Sequence, residues 1–317
     1  MAYLASLTLL FSYIEMILPR TVPFFRLGLG NTAILLAFDL PFVPFLLLSI
    51  IKALASSLMA GTLISPFFVI SLVQSVSSGV FMYFLSIINR KFHGKIFSVY
   101  GISVFGSEIS ALVQILLCTL YLGSGTFALL GPMLLFNMAS GIITAFFSTK
   151  ISVKELSITP PQLSENYEDS NHRKIPQIFF ALIIFFAAAG VFFIKNIPVL
   201  AGTLVLSLIT QRLCKRRILI LPHISLWVFI MISTVLVPEG KILYKLWNIS
   251  ITEGALLTGI QKSLRLSAVS ALSQCAIILR PPKDSILALT LLYYKHLSDK
   301  FRTADGNIFK KIKASIT

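Results

Sequence analysis

Long apolar runs recur along the whole chain, each about the length that crosses a bilayer as a helix and each followed by a short polar or basic turn. In hydrocarbon every backbone N–H and C=O needs an internal partner, which a helix supplies within one segment. The expected fold is therefore all-α, a polytopic helical integral membrane protein. Composition agrees: 56% of the 317 residues are hydrophobic and only 12% charged, about half the usual charged share, and mean hydropathy is +0.88. The opening run, Met1 to Leu18, lacks a basic start and a small-residue cleavage site, so it reads as a retained helix.

Hydrophobic periodicity places about six helices in a first module, 1–149, near 2–18, 29–40, 43–60, 66–88, 98–122 and 129–149. Residues 150–175 ("KISVKELSITPPQLSENYEDSNHRKI") carry Pro-Pro, mixed charges and no apolar period, which marks a polar cytoplasmic linker. A second module, 176–300, holds about four helices, near 176–194, 197–211, 218–237 and 252–279, with a last apolar stretch at 285–297. Residues 301–317 read as a basic cytoplasmic tail.

The net charge of +15 is not spread evenly. Arg90, Lys91 and Lys95 form one group, Arg212, Lys215, Arg216 and Arg217 another, and Lys310, Lys311 and Lys313 lie in the tail. Basic residues beside membrane helices mark the cytoplasmic side. This predicts a multi-pass protein of the cytoplasmic (inner) membrane with both ends inside and the uncharged loops 61–66 and 123–131 outside. Arg20 and Arg26 break the bias by falling in the first outer loop. The charge does not suit nucleic acid, because no basic, aromatic-interleaved soluble domain carries it. Cys118, Cys214 and Cys275 are far apart and form no CxxC pair, and the four histidines are equally scattered, so no metal site and no cofactor is assigned.

Small residues recur at every fourth position: Ala53, Ser57 and Gly61; Ser71, Ser75 and Gly79; Asn137, Gly141 and Ala145. Such rows let helices approach closely in lipid. Gly106, Ser110, Gln114 and Cys118 form a polar-to-small stripe in the fifth helix, with Glu108 roughly opposite. Charged groups at membrane depth are costly and tend to be paired or functional, which singles out Lys52 in the third helix, Glu108 in the fifth, and Glu15 near the outer end of the first, where Arg20 or Arg26 is the expected partner. In 252–279, Gly254, Thr258, Gln261 and Arg265 share one face, so this helix either buries that face or lies at the interface. "GALLTGIQKS" (254–263) has two glycines at phosphate-loop spacing, but Ile260 and Gln261 precede Lys262, and the required Gly-Lys-Ser/Thr contiguity is missing.

The stretch "RLGLGN" (26–31) is the most unusual in the chain. Arg26, Gly28, Gly30 and Asn31 lead into an apolar helix, where glycines allow close approach and the helix start offers free N–H groups to an anionic or carbonyl-rich ligand. Residues 15–150 resemble the family named heptaprenyl diphosphate synthase component I, also called the Gx transporter family, which is similar to the substrate-binding S components of energy-coupling factor (ECF) transporters. The resemblance rests on Glu15, "RLGLGN", Lys52, "SL" at 71–72, "GISVFG" at 101–106, Gln114 and "GP" at 131–132. Where the family's fifth helix continues into a His-Asn pair and a Gly-Gln, this chain has Ser110, Ala111, Val113 and Gln114, so no ligand role carries over from that pair. Residues 176–300 resemble a shortened ECF T component through "ITEGALLTGIQKSLRL" (251–266), without the long coupling helices that dock ATPases.

The resemblance implies a transporter component for a small-molecule ligand, flavin- or quinone-related, working in the lipid bilayer with separate ECF-type ATPase subunits. Arg26, Gly28, Gly30 and Asn31 would form the outer lip of its pocket, with Lys52 and Gln114 as further ligand-binding candidates. The alternative is a non-catalytic membrane accessory subunit for prenyl diphosphate or quinone synthesis or for extracellular electron transfer. Catalysis by this chain is not expected, because prenyl diphosphate chemistry needs paired aspartate clusters for magnesium, and only Asp299 and Asp305, in the tail, are near neighbours.

Overall fold

The computed structural model describes residues 2–17, 28–151, 174–214, 218, 220–246, 249–275, 285–306 and 308–316. Arg20, Arg26, most of the expected linker and Lys215 to Arg217 lie outside the described residues. The protein is an all-α membrane protein. Three of its helices, together with the run Ser124–Lys150, are long and apolar enough to cross a bilayer.

The first module contains α1 (Ala2–Ile17), α2 (Asn31–Leu35), α3 (Phe42–Ala60), α4 (Pro66–Lys91), α5 (Val99–Leu122) and α6 (Leu130–Lys150). Sequence punctuation sets the ends of the long helices. Pro41 precedes α3, and Gly61 stops it in the left-handed region at φ 69°, with the Thr62 N–H bonded to the Ser57 carbonyl at 2.9 Å. Pro66 opens α4 at the position where its missing N–H costs nothing. The Ser98 hydroxyl caps α5 by accepting from the Gly101 N–H at 3.1 Å.

These helices close into a ring. α1 packs on α2 and α3, α3 on α4, α4 on α5, α5 on α6, and α6 returns to α2. Phe45, Leu48, Met82 and Ile102 form one buried core inside it, joined by Ala5 and Ile34. One end of the ring is basic: Arg90 lies 3.6 Å from Asp39 and also donates to the Phe38 carbonyl, beside Lys91 and Lys95. The opposite, uncharged end carries the loops 61–65 and 123–129.

The second module contains α7 (Lys174–Phe193), α8 (Ile197–Leu213), α9 (Ile220–Val235), an antiparallel hairpin of β1 (Ile242–Leu246) and β2 (Ile249–Thr252), and α10 (Glu253–Cys275). α10 is the hub, packing against α7, α8 and α9. The outer faces of α7 to α9 expose Phe179, Phe186, Phe193, Leu206 and Leu221, as lipid-facing helices do. Two further helices follow, α11 (Ile286–Thr303) and α12 (Ile308–Ile316).

Two expectations need correction, over 29–40 and over 301–317. The helix expected over 29–40 is helical only over Asn31–Leu35, because the chain turns through 36–39 ahead of Pro41. Within the run 252–279, Glu253–Cys275 is helical and packs at the centre of its module, the buried one of its two expected placements, and 276–279 lie outside the described residues. The hairpin at 242–252 was not anticipated. The stretch 301–317 is not a free tail: α11 runs to Thr303, and Leu297, Phe301 and Ile312 pack onto Leu7, Leu10, Phe11 and Ile14 of α1. Arg302 fastens this contact by donating to the Tyr13 hydroxyl at 2.8 Å.

Candidate functional site

The glycine-rich joint ahead of α2 lies inside the ring. Gly28 takes φ +62°, a left-handed conformation that a glycine adopts without strain, and its Cα faces Ser140 of α6. A Cβ there would stand 3.6 Å from the Ser140 hydroxyl. Gly30 is needed for close approach. A Cβ at that position would meet the Ser12 hydroxyl at 2.8 Å, the Lys52 Cε at 3.3 Å and the Thr8 carbonyl at 3.4 Å. The two glycines thus let the joint wedge between α1, α3 and α6.

Asn31 begins α2 and accepts a hydrogen bond at Oδ1 from the Lys52 ammonium of α3. A lysine in the middle of an apolar helix needs such partners at membrane depth.

Lys52 also fixes the level of the joint. It stands eight residues before the end of α3 at Ala60, about 12 Å below the uncharged end. Gln74 is eight residues into α4, Gln114 eight residues before the end of α5, and Asn137 seven residues into α6. The four long helices therefore present polar side chains at one depth. Within this belt Gln74 Nε2 donates to the Ser110 hydroxyl at 2.6 Å and to Gln114 Oε1 at 3.2 Å, while Asn137 Nδ2 donates to the Met133 carbonyl at 2.9 Å.

The expectation of an outer lip is corrected by this geometry. Gly28, Gly30 and Asn31 lie at mid-depth beside Lys52 and Ser140, not at the rim. Arg26 lies outside the described residues. Gln114 is buried in the α4–α5 contact, where its Oε1 accepts from Gln74.

Glu15 follows Thr8 and Ser12 at helical spacing on the α1 face that meets the joint. It is 9% exposed, and its buried Oε1 has no hydrogen-bond partner among the described residues. Glu108 Oε1 is likewise buried without one. Buried polar atoms are nearly always paired, so each of these is an unusual feature.

Ser75, Gly79 and Gly141 of the small-residue rows lie at helix contacts. Ser75 donates to the Ser49 carbonyl at 3.2 Å, and Gly79 lies directly against Ser49. Gly141 accepts from Ser103 through its carbonyl at 2.7 Å, and a Cβ there would stand 2.6 Å from the Ser107 hydroxyl. Ala53 and Ser57 are buried, Ser71 is half-buried, and Gly61 ends α3.

Sequence reasoning missed Ser12, Gln74 and Ser140. Ser12 and Gln74 carried a usable signal as polar residues inside apolar helices, whereas Ser140 could not be told from a packing serine. Among the described residues, no group of three His, Cys, Asp or Glu could hold a metal ion.

Comparison with known families divides the chain in two. Residues 4–151 match the family model described as heptaprenyl diphosphate synthase component I. Residues 178–278 match a domain of unknown function, DUF8519, a description that carries no transporter assignment. No curated protein and no solved structure matches the chain.

Proposed function

Taking residues 4–151 as a heptaprenyl diphosphate synthase component I module, we propose that the protein is the membrane-embedded solute-binding component of an ECF-like transporter, energised by a separate ATPase. The observation that carries this reading is the Asn31–Lys52 pair, seated on Gly30 within the ring. An ammonium at mid-depth beside a side-chain amide suits a solute that brings an anionic or carbonyl oxygen. Such a solute would bind Lys52 while the Asn31 amide orients it.

A flavin- or quinone-related solute fits this chemistry, since both present ring carbonyls. The second module would serve as the scaffold beside it. Prenyl diphosphate catalysis is not part of the proposal, because the chain has no paired aspartate clusters to hold magnesium.

The test is uptake of radiolabelled riboflavin or menadione into vesicles holding the protein with and without candidate ATPase subunits. ATP-dependent uptake that requires both supports the proposal. Uptake that never depends on an ATPase, together with a prenyl precursor bound to the protein, favours the accessory role instead.

A further inference from the structure

α10 is less apolar than any of α3 to α9, yet it lies at the centre of its module, and its polar side chains reach out to the ends of other helices. Lys262 Nζ donates to the carbonyl of Leu122, the last residue of α5, at 2.7 Å. Gln274 Nε2 donates at 2.7 Å to the carbonyl of Ala60, the last residue of α3. Next to it, the Ile64 N–H donates to the Ser273 hydroxyl at 2.9 Å. On the side of its own module, Arg265 and Gln261 donate to the carbonyls of Ile194 and Lys195, just past the end of α7, at 2.8 and 2.7 Å. The last carbonyls of a helix lack intrahelical partners and carry the negative end of its dipole, so donors, and cations above all, bind there.

Lys262 and Gln274 are twelve residues apart, about 18 Å along α10. α3 and α5 flank α4 in the ring, and both end at the uncharged end. One helix therefore spans that end from α5 to α3, with the loops 61–65 and 123–129 beneath it. Apolar packing reinforces the seat: Phe67, Tyr121, Leu122 and Leu129 meet Phe229, Ile230 and Leu266. Gly125 is pressed so closely on the Ser233 carbonyl that no side chain would fit there.

We infer that the second module is a gate on the first. α10 acts as a strap that holds the α3–α4 and α5–α6 ends at a fixed separation. Releasing the strap lets these pairs part at the uncharged end and opens a path to the polar belt about 12 Å below. This assigns a role to the 178–278 domain, and its test requires no ligand.

The test uses the full chain in lipid nanodiscs, with Gln74→Cys as the reporter inside the ring. Modification of position 74 by a charged, hydrophilic methanethiosulfonate reagent is followed by peptide mass spectrometry, so Cys118, Cys214 and Cys275 can stay in place. Hydrogen exchange is measured in parallel. Lys262→Met should raise exchange in 123–129, and Gln274→Leu should raise it in 61–65. Combining the two should speed modification of position 74 at least tenfold while exchange inside α3 to α6 stays at its original level. Lys262→Arg, which keeps a donor, should restore the slow rate. If the double variant does not assemble, the single variants are read in the same way. The gate is refuted if both loops loosen without faster modification, or if neither loop loosens.

Discussion

Asn31 and Lys52 stand 21 residues apart in sequence and meet side chain to side chain inside a ring of helices, with Gly30 packed on the lysine stem. This contact ties the first unusual motif in the sequence to the one lysine in the middle of the third helix. It places both at the depth of Gln74, Gln114 and Asn137, where a solute crossing the bilayer would be held.

The close approach at Gly30 predicts a specific pattern of damage and rescue. Gly30→Ala forces its Cβ to within 2.8 Å of the Ser12 hydroxyl and should cost about 1–3 kcal/mol, the usual penalty of overpacking. Adding Ser12→Ala removes the nearest clash and should recover part of that loss. Thermal unfolding in detergent, compared across the two single variants and the double, measures it. Equal stability of Gly30→Ala and the unmodified protein would show that the joint is loose.

The buried Glu15 carboxylate predicts an effect of opposite sign. Its Oε1 is desolvated with no hydrogen-bond partner among the described residues, and an unsatisfied buried oxygen lowers stability. Glu15→Gln should therefore leave ligand-free stability unchanged or raise it by about 1 kcal/mol, a shift of roughly 2 °C in Tm for a chain this long. A fall of that size would instead reveal an ion pair, as the sequence reading expected with Arg20 or Arg26.

How far the sequence disclosed these features depended on whether the deciding interaction was local. α3 and α4 were readable almost to the residue because Pro41, Gly61 and Pro66 stop and start helices through backbone constraints of their own. α2 was not, since its apolar run continues past Leu35 while the backbone turns ahead of Pro41. The hairpin had a local signal, the β-branched and aromatic residues of "ILYKL" and "ISIT", which the helical context obscured. Lys52 was legible as costly, but its partner was not, because that depends on how α2 wedges between helices. The strap was the least legible. Lys262, Arg265 and Gln274 bind main-chain carbonyls, and a carbonyl leaves no mark in the sequence of its residue.

The ion pair of Arg90 with Asp39 is exposed on both sides, 52% and 94%, and predicts little. Asp39→Asn should change stability by less than about 1 kcal/mol, as measured by thermal unfolding. A larger loss would mean that Asp39 holds the 36–41 turn in a way the exposed pair does not account for.

The charge asymmetry predicts that 150–175 faces the cytoplasm. A cysteine introduced at Ser164 should react with an impermeant maleimide only after the cells are opened. Reaction in intact cells would invert the topology and place the gate at the cytoplasmic face.

The central claim, that the Asn31–Lys52 pair holds a solute, is tested most directly by native mass spectrometry of gently purified protein. The unmodified chain should retain a small molecule, and Lys52→Met and Asn31→Ala should each release it. The expected loss is about 1.5–3 kcal/mol, or roughly 10–150-fold in affinity, the scale of a charge-assisted hydrogen bond. For Lys52→Met, which removes the buried charge itself, yield and melting temperature should stay near those of the parent. Undiminished retention of the same molecule by both variants would contradict the claim.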